Sequence, residues 1–345
     1  MKYRYSPDEF MKGLYANRAK PFDNIGDKTA ALAAGEKIRA ELAEIFALNK
    51  IPDKVSPLSV QTVSPECDCG SYYRKKIAVK ICRNLEMTAF VLRPKKLSGK
   101  TAGVVALCGH GYGARQIVGV SKRGRKRIVP ILDNYQKLFA VEIAKRGAVV
   151  VVPELFGFGE ARLEKDMSKP FYASSCHTLS SHLLPYGLTT ASLRIFQTLC
   201  CADLLVLDEN VDPARLGVAG ISGGGLTALY SACLDPRFST VAISGYVNTF
   251  KDSILSVWHC PDNYFPDVMN VGEIYDFAAA LAPRRLLVEC GKRDRIFPIE
   301  GSKTAIENIE KIYSLCGARE RFTADIHDGA HRISGRYLFD FFTEG

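Results

Sequence analysis

The sequence lacks any long hydrophobic run. Its start, MKYRYSPDEFMKGLYANRAK, has no apolar stretch of signal-peptide length, and no later run reaches the roughly 18 apolar residues that cross a bilayer. Internal repeats and low-complexity segments are also missing, and 47% of the residues are hydrophobic, which excludes disordered, collagen-like and coiled-coil chains. We therefore expect a globular, cytoplasmic protein that does not bind membranes.

The eleven cysteines lack the pattern of a disulfide scaffold. Their number is odd and they are spread between Cys67 and Cys316, whereas disulfide frameworks belong to short secreted chains with even numbers. We interpret them as reduced thiols. His177, His182 and His259 also lack the spacing of metal ligands, so we expect no metal and no cofactor.

The first 50 residues have a helical pattern. Four apolar residues fall on one helical face before Pro52 ends the pattern: Ile38, Leu42, Ile45 and Phe46. A turn-rich piece follows at Ser64 to Gly70. We expect residues 1–75 to form a helical extension that packs on a catalytic domain of residues 76–345.

The rest of the chain alternates short apolar runs with helical patterns. An antiparallel hairpin is expected at 76–82 and 87–93. The later apolar runs are 103–107, 148–152, 216–221, 241–243, 285–290 and 322–326. The helical patterns are 132–145, 191–207, 226–233, 302–315 and 332–342. This alternation predicts an α/β fold with a mostly parallel central sheet, helices on both faces and a site at the carboxyl ends of the strands.

The segment Gly220 to Gly224 reads G-x-S-x-G between an apolar run and a helical pattern. In this context the serine lies on a tight strand-to-helix turn, and the small neighbours let the strand and the helix approach each other. A phosphate-binding loop is the alternative, but no Lys-Ser/Thr pair follows the glycines. We predict that Ser222 is a nucleophile.

A serine hydroxyl needs an imidazole to take its proton and a carboxylate to orient that imidazole. Asp294 and His331 each follow the end of an apolar run, in the chain order Ser, Asp, His. The alternatives are that Asp294 is a solvated carboxylate paired with Arg293 or Arg295, and that His327 is the base. Because His327 ends a strand, we interpret it as a packed histidine and choose His331.

A tetrahedral intermediate needs two N–H donors for its oxyanion. The residue after the nucleophile, Gly223, is the first. The glycine-rich turn Gly109 to Gly113 follows the run 103–107 and is expected to supply the second, from Tyr112 or a neighbour.

Several segments together resemble a known family. CGHGYG from Cys108, VPELFGFGEAR from Val152, VAGISGGG from Val218, SGYVNTFKDSIL from Ser244 and VECGKRDRIFPI from Val288 look like the acetylxylan-esterase-like branch of the dienelactone hydrolase group of α/β-hydrolases. The resemblance covers roughly residues 85–340. It implies a Ser222, Asp294 and His331 triad with an oxyanion hole at Tyr112 and Gly223. The chain departs from the family at Glu154, where an aspartate is expected, and at the basic insert Lys122 to Arg127.

Four further residues are candidates for the substrate pocket. They are His110, Glu160, Trp258 and His259. Glu160 is also interpreted as a structural ion pair with Arg162, and the aromatic residues near Trp258 as part of the core. The N-terminal helices or the segment 254–270 could cap the pocket.

The resemblance implies an esterase for short acyl groups such as acetyl, on a sugar or another small molecule. Polymeric xylan is disfavoured because no export signal is found. An amidase or peptidase of the prolyl-oligopeptidase type shares the triad order and is the alternative, followed by a non-catalytic binding protein.

The net charge of +9 depends largely on one run, in which Lys122, Arg123, Arg125, Lys126 and Arg127 supply five positive charges. A solvated loop is the simplest interpretation. Nucleic-acid binding is not expected, because the run has no interleaved aromatic residues. The run could also attract an anionic substrate to the site.

Overall fold

The computed structural model describes residues 5–52, 54–97, 99–120 and 134–344. The basic run Lys122 to Arg127 lies outside these residues. The strands are β1 Lys54–Asp68, β2 Tyr72–Cys82, β3 Leu85–Pro94, β4 Thr101–Leu107, β5 Val149–Pro153, β6 Val211–Ile221, β7 Phe238–Ser244, β8 Arg285–Gly291 and β9 Phe322–His327. The helices are α1 Asp8–Ala16, α2 Lys28–Phe46, α3 Ala114–Val118, α4 Phe139–Lys145, α5 Cys176–Leu183, α6 Thr190–Val206, α7 Gly223–Leu234, α8 Ile274–Ala279 and α9 Ile299–Leu315.

The strands form one sheet in the order β1-β2-β3-β5-β4-β6-β7-β8-β9. The first three strands pair antiparallel, and β3 pairs antiparallel with β5. The six strands from β5 to β9 in this order are parallel. The prediction of a mostly parallel sheet is therefore confirmed, and the carboxyl ends of its parallel strands meet at one edge.

The central parallel strands are buried on both faces. All five residues of β5 are buried, and β4 and β8 are buried after their first residue. Branched apolar side chains favour a pleated strand, and helices on both faces require that successive side chains be apolar. Among the described residues, no helix is both long and apolar enough to cross a bilayer.

The N-terminal region is partly different from the prediction. The turns expected at Ser64 to Gly70 were wrong, because most of this piece is the end of β1, which pairs with β2 at Ser64 and Cys67. Its Ser, Pro and Glu residues are tolerated because β1 is the edge strand of the sheet and its pairing is interrupted by register shifts. The last part of the predicted helical extension is therefore a strand.

Two predicted helices differ as well. The helix predicted over 132–145 begins only at Phe139, because Lys137 and Leu138 have positive φ angles. No helix forms over 332–342, where Gly335 has a φ of +75° and turns follow. A positive φ is incompatible with a right-handed helix, and the apolar periodicity of these segments does not reveal it.

Helix α2 packs on the core as its apolar face predicts. The side chain of Asp27 caps its start by accepting a hydrogen bond from Ala30 N at 2.9 Å. Leu42 and Phe46 are completely buried, and the Phe46 ring lies 4.9 Å from the Tyr230 ring of α7. Helix α2 therefore contacts the helix that begins at the predicted nucleophile.

We expect Leu42→Ala to lower the free energy of unfolding of the whole chain by about 2–5 kcal/mol, because it leaves a cavity between α2 and the core. Leu14→Ala on α1 is the control, since Leu14 is 59% exposed and its truncation should have little effect. Urea unfolding should show one transition shifted to lower concentration. A separate early transition with the main one unchanged would mean that α2 belongs to an independent unit.

Candidate active site

Ser222 lies on a strained turn between β6 and α7. Its φ of 57° and ψ of −124° are rare for a residue with a side chain. The turn is possible because glycines surround it. A side chain at Gly220 would overlap the backbone of Gly224, and one at Gly224 would overlap the Leu107 carbonyl at the end of β4. The close approach of strand and helix therefore projects the serine from the sheet edge.

The backbone of Ser222 is hydrogen-bonded to β7, and the residues that follow it form the N-terminus of helix α7. Its backbone N–H donates to the Ser244 carbonyl at 3.0 Å, which ties the turn to the end of β7. Gly223 is the first residue of α7, and N–H groups in the first turn of a helix have no acceptor within the helix. The N-terminus of α7 therefore favours negative charge beside Ser222.

Asp294 and His331 are joined by a hydrogen bond. The distance between His331 Nδ1 and Asp294 Oδ2 is 2.7 Å. The other carboxylate oxygen accepts hydrogen bonds from the N–H groups of Ile296 at 2.8 Å and Phe297 at 3.0 Å. Asp294 is buried, so it is not the solvated carboxylate of the alternative interpretation.

Two aromatic rings pack against the His331 ring. Tyr135 and Phe297 each stack on it at 5.7 Å, with interplanar angles of 25° and 17°. Gly245, which directly follows β7, lies under the ring, because a Cβ atom there would be 3.0 Å from His331 Cε1. Since Ser244 binds the Ser222 backbone, the predicted nucleophile and base share one edge of the sheet. His327 is packed at the end of β9, as predicted.

The glycine-rich loop after β4 is fixed by two glutamines. Gln136 Oε1 accepts the N–H of Gly109 at 2.9 Å, and Gln116 Oε1 accepts the N–H of Tyr112 at 3.0 Å. The Tyr112 N–H is therefore engaged, and it must leave Gln116 or be shared with it before it can bind an oxyanion. The Tyr112 side chain is 48% exposed at the mouth of the site.

Glu154, where the resembled family has an aspartate, supports the same loop. Its carboxylate accepts the N–H of Ala114 at 2.9 Å and fills the space beside Gly113 and Gly159. Both glycines have positive φ angles, and neither has room for a side chain. Burial raises the pKa of the Glu154 carboxyl to about 7. The glutamate side chain, which is one methylene longer than the expected aspartate, therefore reaches the loop that carries Tyr112.

His110 belongs to a buried polar cluster that the sequence did not reveal. Its Nε2 lies 3.4 Å from Asp262 Oδ2, and Arg194, which is fully buried, pairs with the same oxygen at 2.5 Å. Arg194 also donates to Cys176 Sγ at 3.0 Å. A Cβ atom at Gly223 would lie 3.1 Å from His110 Nδ1 and 3.9 Å from Arg194 Nη1. The cluster therefore borders the Ser222 turn.

Glu160 is part of an ion-pair network, but not with the predicted partner. It pairs with Lys76 and, at 3.1 Å, with Arg115, and it accepts the Thr88 hydroxyl. The predicted pair with Arg162 was wrong, because Arg162 donates instead to backbone carbonyls, including Gly159 at 2.8 Å. These bonds hold the loop after β5 against β2 and β3.

Trp258 and His259 occupy different environments. Trp258 is 86% exposed, so it does not belong to the core. His259 is buried, lies 3.0 Å from Ser253 Oγ through Nε2, and contacts Phe297 edge-on at 5.2 Å. Burial lowers the pKa of His259. His259 therefore contacts Phe297, the ring that stacks on His331.

Glu289 at the end of β8 supports the segment after His331. Its buried carboxyl accepts hydrogen bonds from the Ser244 hydroxyl at 2.5 Å and from Gly335 N at 3.1 Å. Burial raises its pKa to about 7, and the nearby Asp325 acts in the same direction. Glu289 thus links the end of β7 to the chain just beyond the predicted base.

The chain is similar to known proteins along most of its length. No family model matches it. YtaP of Bacillus subtilis (strain 168), named provisionally as a hydrolase, is 25% identical over 296 residues, which cover 84% of this chain and 90% of YtaP. A provisional acetyl xylan esterase from Bacteroides fragilis NCTC 9343 superposes with a TM-score of 0.76 at 14% identity, covering 93% of this chain and 82% of its own. A glucuronoyl esterase from Solibacter usitatus gives a TM-score of 0.65 at 15% identity, with 94% and 95% covered.

These similarities define the class of fold. The chain has the α/β-hydrolase fold, as the sequence predicted. The predicted resemblance to acetyl xylan esterases is also found among the solved structures.

We expect Glu289→Gln to become more stable relative to the wild type as the pH rises from 5 to 8. The folded wild type keeps a proton on Glu289 up to about pH 7, whereas the unfolded chain loses it near the ordinary pKa of 4.5, so wild-type stability falls across this window. The difference is of the order of 3 kcal/mol at most, since one pKa unit corresponds to about 1.4 kcal/mol. Urea unfolding at several pH values measures it.

Glu307→Gln, at an exposed position on α9, is the control and should show no such trend. A Glu289→Gln variant whose stability runs parallel to the wild type at every pH would contradict the assigned proton.

Proposed function

We propose that this chain is a carboxylic ester hydrolase with Ser222 as its nucleophile, His331 as its base and Asp294 as the residue that orients the base. The observation that carries the proposal is the strained Ser222 turn at the same sheet edge as the buried Asp294–His331 hydrogen bond. A strained, exposed serine at a strand-to-helix turn is the nucleophile arrangement of this fold. The esterases among the solved structures agree with it.

The reaction follows from these positions. With Nδ1–H donated to Asp294, the free His331 Nε2 takes the Ser222 proton as the hydroxyl oxygen attacks the ester carbonyl. The N–H groups of Gly223 and Tyr112 are the proposed donors to the oxyanion. When the tetrahedral intermediate collapses, the alcohol leaves with the proton from His331, and an acyl group remains on Ser222. Water then attacks this acyl-enzyme by the same route and releases the acid.

The proposed substrate is an ester of a short acyl group, such as acetyl, on a sugar or similar small molecule. Two of the similar structures are named for esters of carbohydrates. Exposed aromatic rings also lie beside the oxyanion loop. Tyr112 stacks with Phe171 at 6.4 Å and meets Tyr172, which is 61% exposed, edge-on at 6.3 Å. Such rings offer a flat apolar surface for the C–H face of a sugar. Residence in the cytoplasm stays a prediction.

Ser222→Ala should abolish both hydrolysis of p-nitrophenyl acetate and labelling by a fluorophosphonate, because the attacking oxygen is removed. Ser231→Ala is the matched control, since Ser231 is buried further along the same helix. Activity and labelling should survive in the control. Unchanged labelling of Ser222→Ala would overturn the nucleophile assignment. Faster turnover of peptide anilides than of acetyl, butyryl and octanoyl esters by the wild type would favour an amidase or peptidase.

Gly245→Ala should lower kcat/KM by about 10- to 100-fold, because the new methyl group displaces the His331 ring from its position. Gly317→Ala controls for backbone strain: Gly317 has a similar positive φ of +67°, but its side-chain space is open. Both variants should lose similar stability, measured by thermal unfolding. Equal activity loss in the two variants would show that Gly245 acts through strain and not through His331.

A further inference from the structure

Four potential metal ligands from three separate segments meet beside the Ser222 turn. His110 follows β4, Cys176 begins α5, and Cys260 and Asp262 follow β7. Each offers one ligand atom, and these four atoms all lie within 4.8 Å of one another. We call these residues the four-ligand cluster. Within the described part of the chain, no other group of three or more His, Cys, Asp and Glu residues brings its ligand atoms this close together.

The spacing of the ligand atoms of His110, Cys176 and Asp262 fits a tetrahedral metal. The distances are 3.4 Å from His110 Nε2 to Asp262 Oδ2, 3.8 Å from His110 Nε2 to Cys176 Sγ, and 3.6 Å from Cys176 Sγ to Asp262 Oδ2. Zinc bonds of about 2.0–2.3 Å at tetrahedral angles place neighbouring ligand atoms about 3.3–3.8 Å apart. These three distances are within a few tenths of an ångström of these values.

The surroundings supply the outer contacts that ligands of a metal need. Asp262 Oδ1 accepts a hydrogen bond from Asn263 Nδ2 at 2.8 Å, so Oδ2 is the oxygen that faces the other ligands. Arg194 donates to this Oδ2 and to Cys176 Sγ, and its own position is fixed by the Phe156 carbonyl at 2.9 Å. Outer hydrogen bonds of this kind orient ligands and tune their basicity.

The charges also balance with a divalent ion. Two thiolates and one carboxylate carry −3, and the buried Arg194 reduces this to −2, which one divalent cation neutralises. Two sulfur ligands select a soft or borderline metal such as Zn²⁺ over Mg²⁺ or Ca²⁺. Cys176 and Asp262 are buried, while His110 and Cys260 are partly exposed and leave a route for entry.

We propose that His110, Cys176, Cys260 and Asp262 bind one zinc ion as a structural site with four protein ligands. The ion would join the loop after β4 to α5 and to the segment after β7. Because His110 belongs to the loop that carries Tyr112, the zinc would fix that loop beside Ser222. This proposal does not depend on the proposed ester hydrolysis.

Cobalt is the probe for the test, because Co²⁺ in a tetrahedral site with thiolates gives strong visible bands and an ultraviolet thiolate-to-metal band. The full-length protein is treated with a chelator, kept reduced, and titrated with Co²⁺. We expect one equivalent to bind with this spectrum, to be displaced by one equivalent of Zn²⁺, and to raise the melting temperature. A wild-type protein that shows no tetrahedral cobalt spectrum overturns the proposal.

Cys260→Ser removes one thiolate at a partly exposed position, where the fold should tolerate the change. We expect its ultraviolet band to fall by about half and its Zn²⁺ affinity to fall at least about 100-fold. Cys67→Ser is the control for surface thiols, because Cys67 is exposed and far along the chain from the cluster. Its spectrum should match the wild type. An unchanged spectrum in Cys260→Ser, or its loss in Cys67→Ser, would overturn the proposal.

Discussion

The close contact between the start of α7 and the end of β4 is the constraint on which the rest of the site depends. Gly224 lies against the carbonyls of Leu107 and Cys108, so the helix begins almost on top of the strand. This contact forces the positive φ of Ser222 and brings the loop after β4 beside Gly223. A side chain at Gly224 would separate the two elements and move the Ser222 turn away from the loop after β4.

The sequence predicted the parts of the fold and site that are encoded locally. The Ser222 turn could be predicted because its glycine neighbours and the flanking strand and helix lie within a few residues, and the positions of Asp294 and His331 at the sheet edge could be predicted because each follows a strand. Short apolar runs likewise predicted the parallel strands, and apolar periodicity predicted the apolar face of α2. The residues that the sequence missed depend on long-range contacts. Arg194 lies in a helix with an apolar pattern, and only folding brings it to Cys176 and Asp262. A charged residue within an apolar helical pattern was the one signal that could have marked it.

Buried polar side chains hold the backbone of the loops around the candidate site through hydrogen bonds. Gln116, Gln136 and Glu154 hold the loop after β4, while Glu289 holds the segment after His331. Each accepts a backbone N–H that regular secondary structure leaves without a partner, which offsets the cost of burying it. Gln136 and Gly335 lie in the two segments, 132–145 and 332–342, where positive φ angles shorten or exclude the predicted helices. In both segments, these residues form hydrogen bonds with groups near the site instead of the repeating hydrogen bonds of a helix.

The aromatic rings beside His331 and its hydrogen bond to Asp294 together restrict its motion. Tyr135 and Phe297 lie nearly parallel to the imidazole, and turning the imidazole over about its χ2 bond would break the hydrogen bond from Nδ1 to Asp294. Its two nitrogens are therefore distinct, with Nδ1 directed to Asp294. The rotational entropy of the His331 side chain is lost once, when the protein folds, and would not have to be lost again at each step of the proposed reaction.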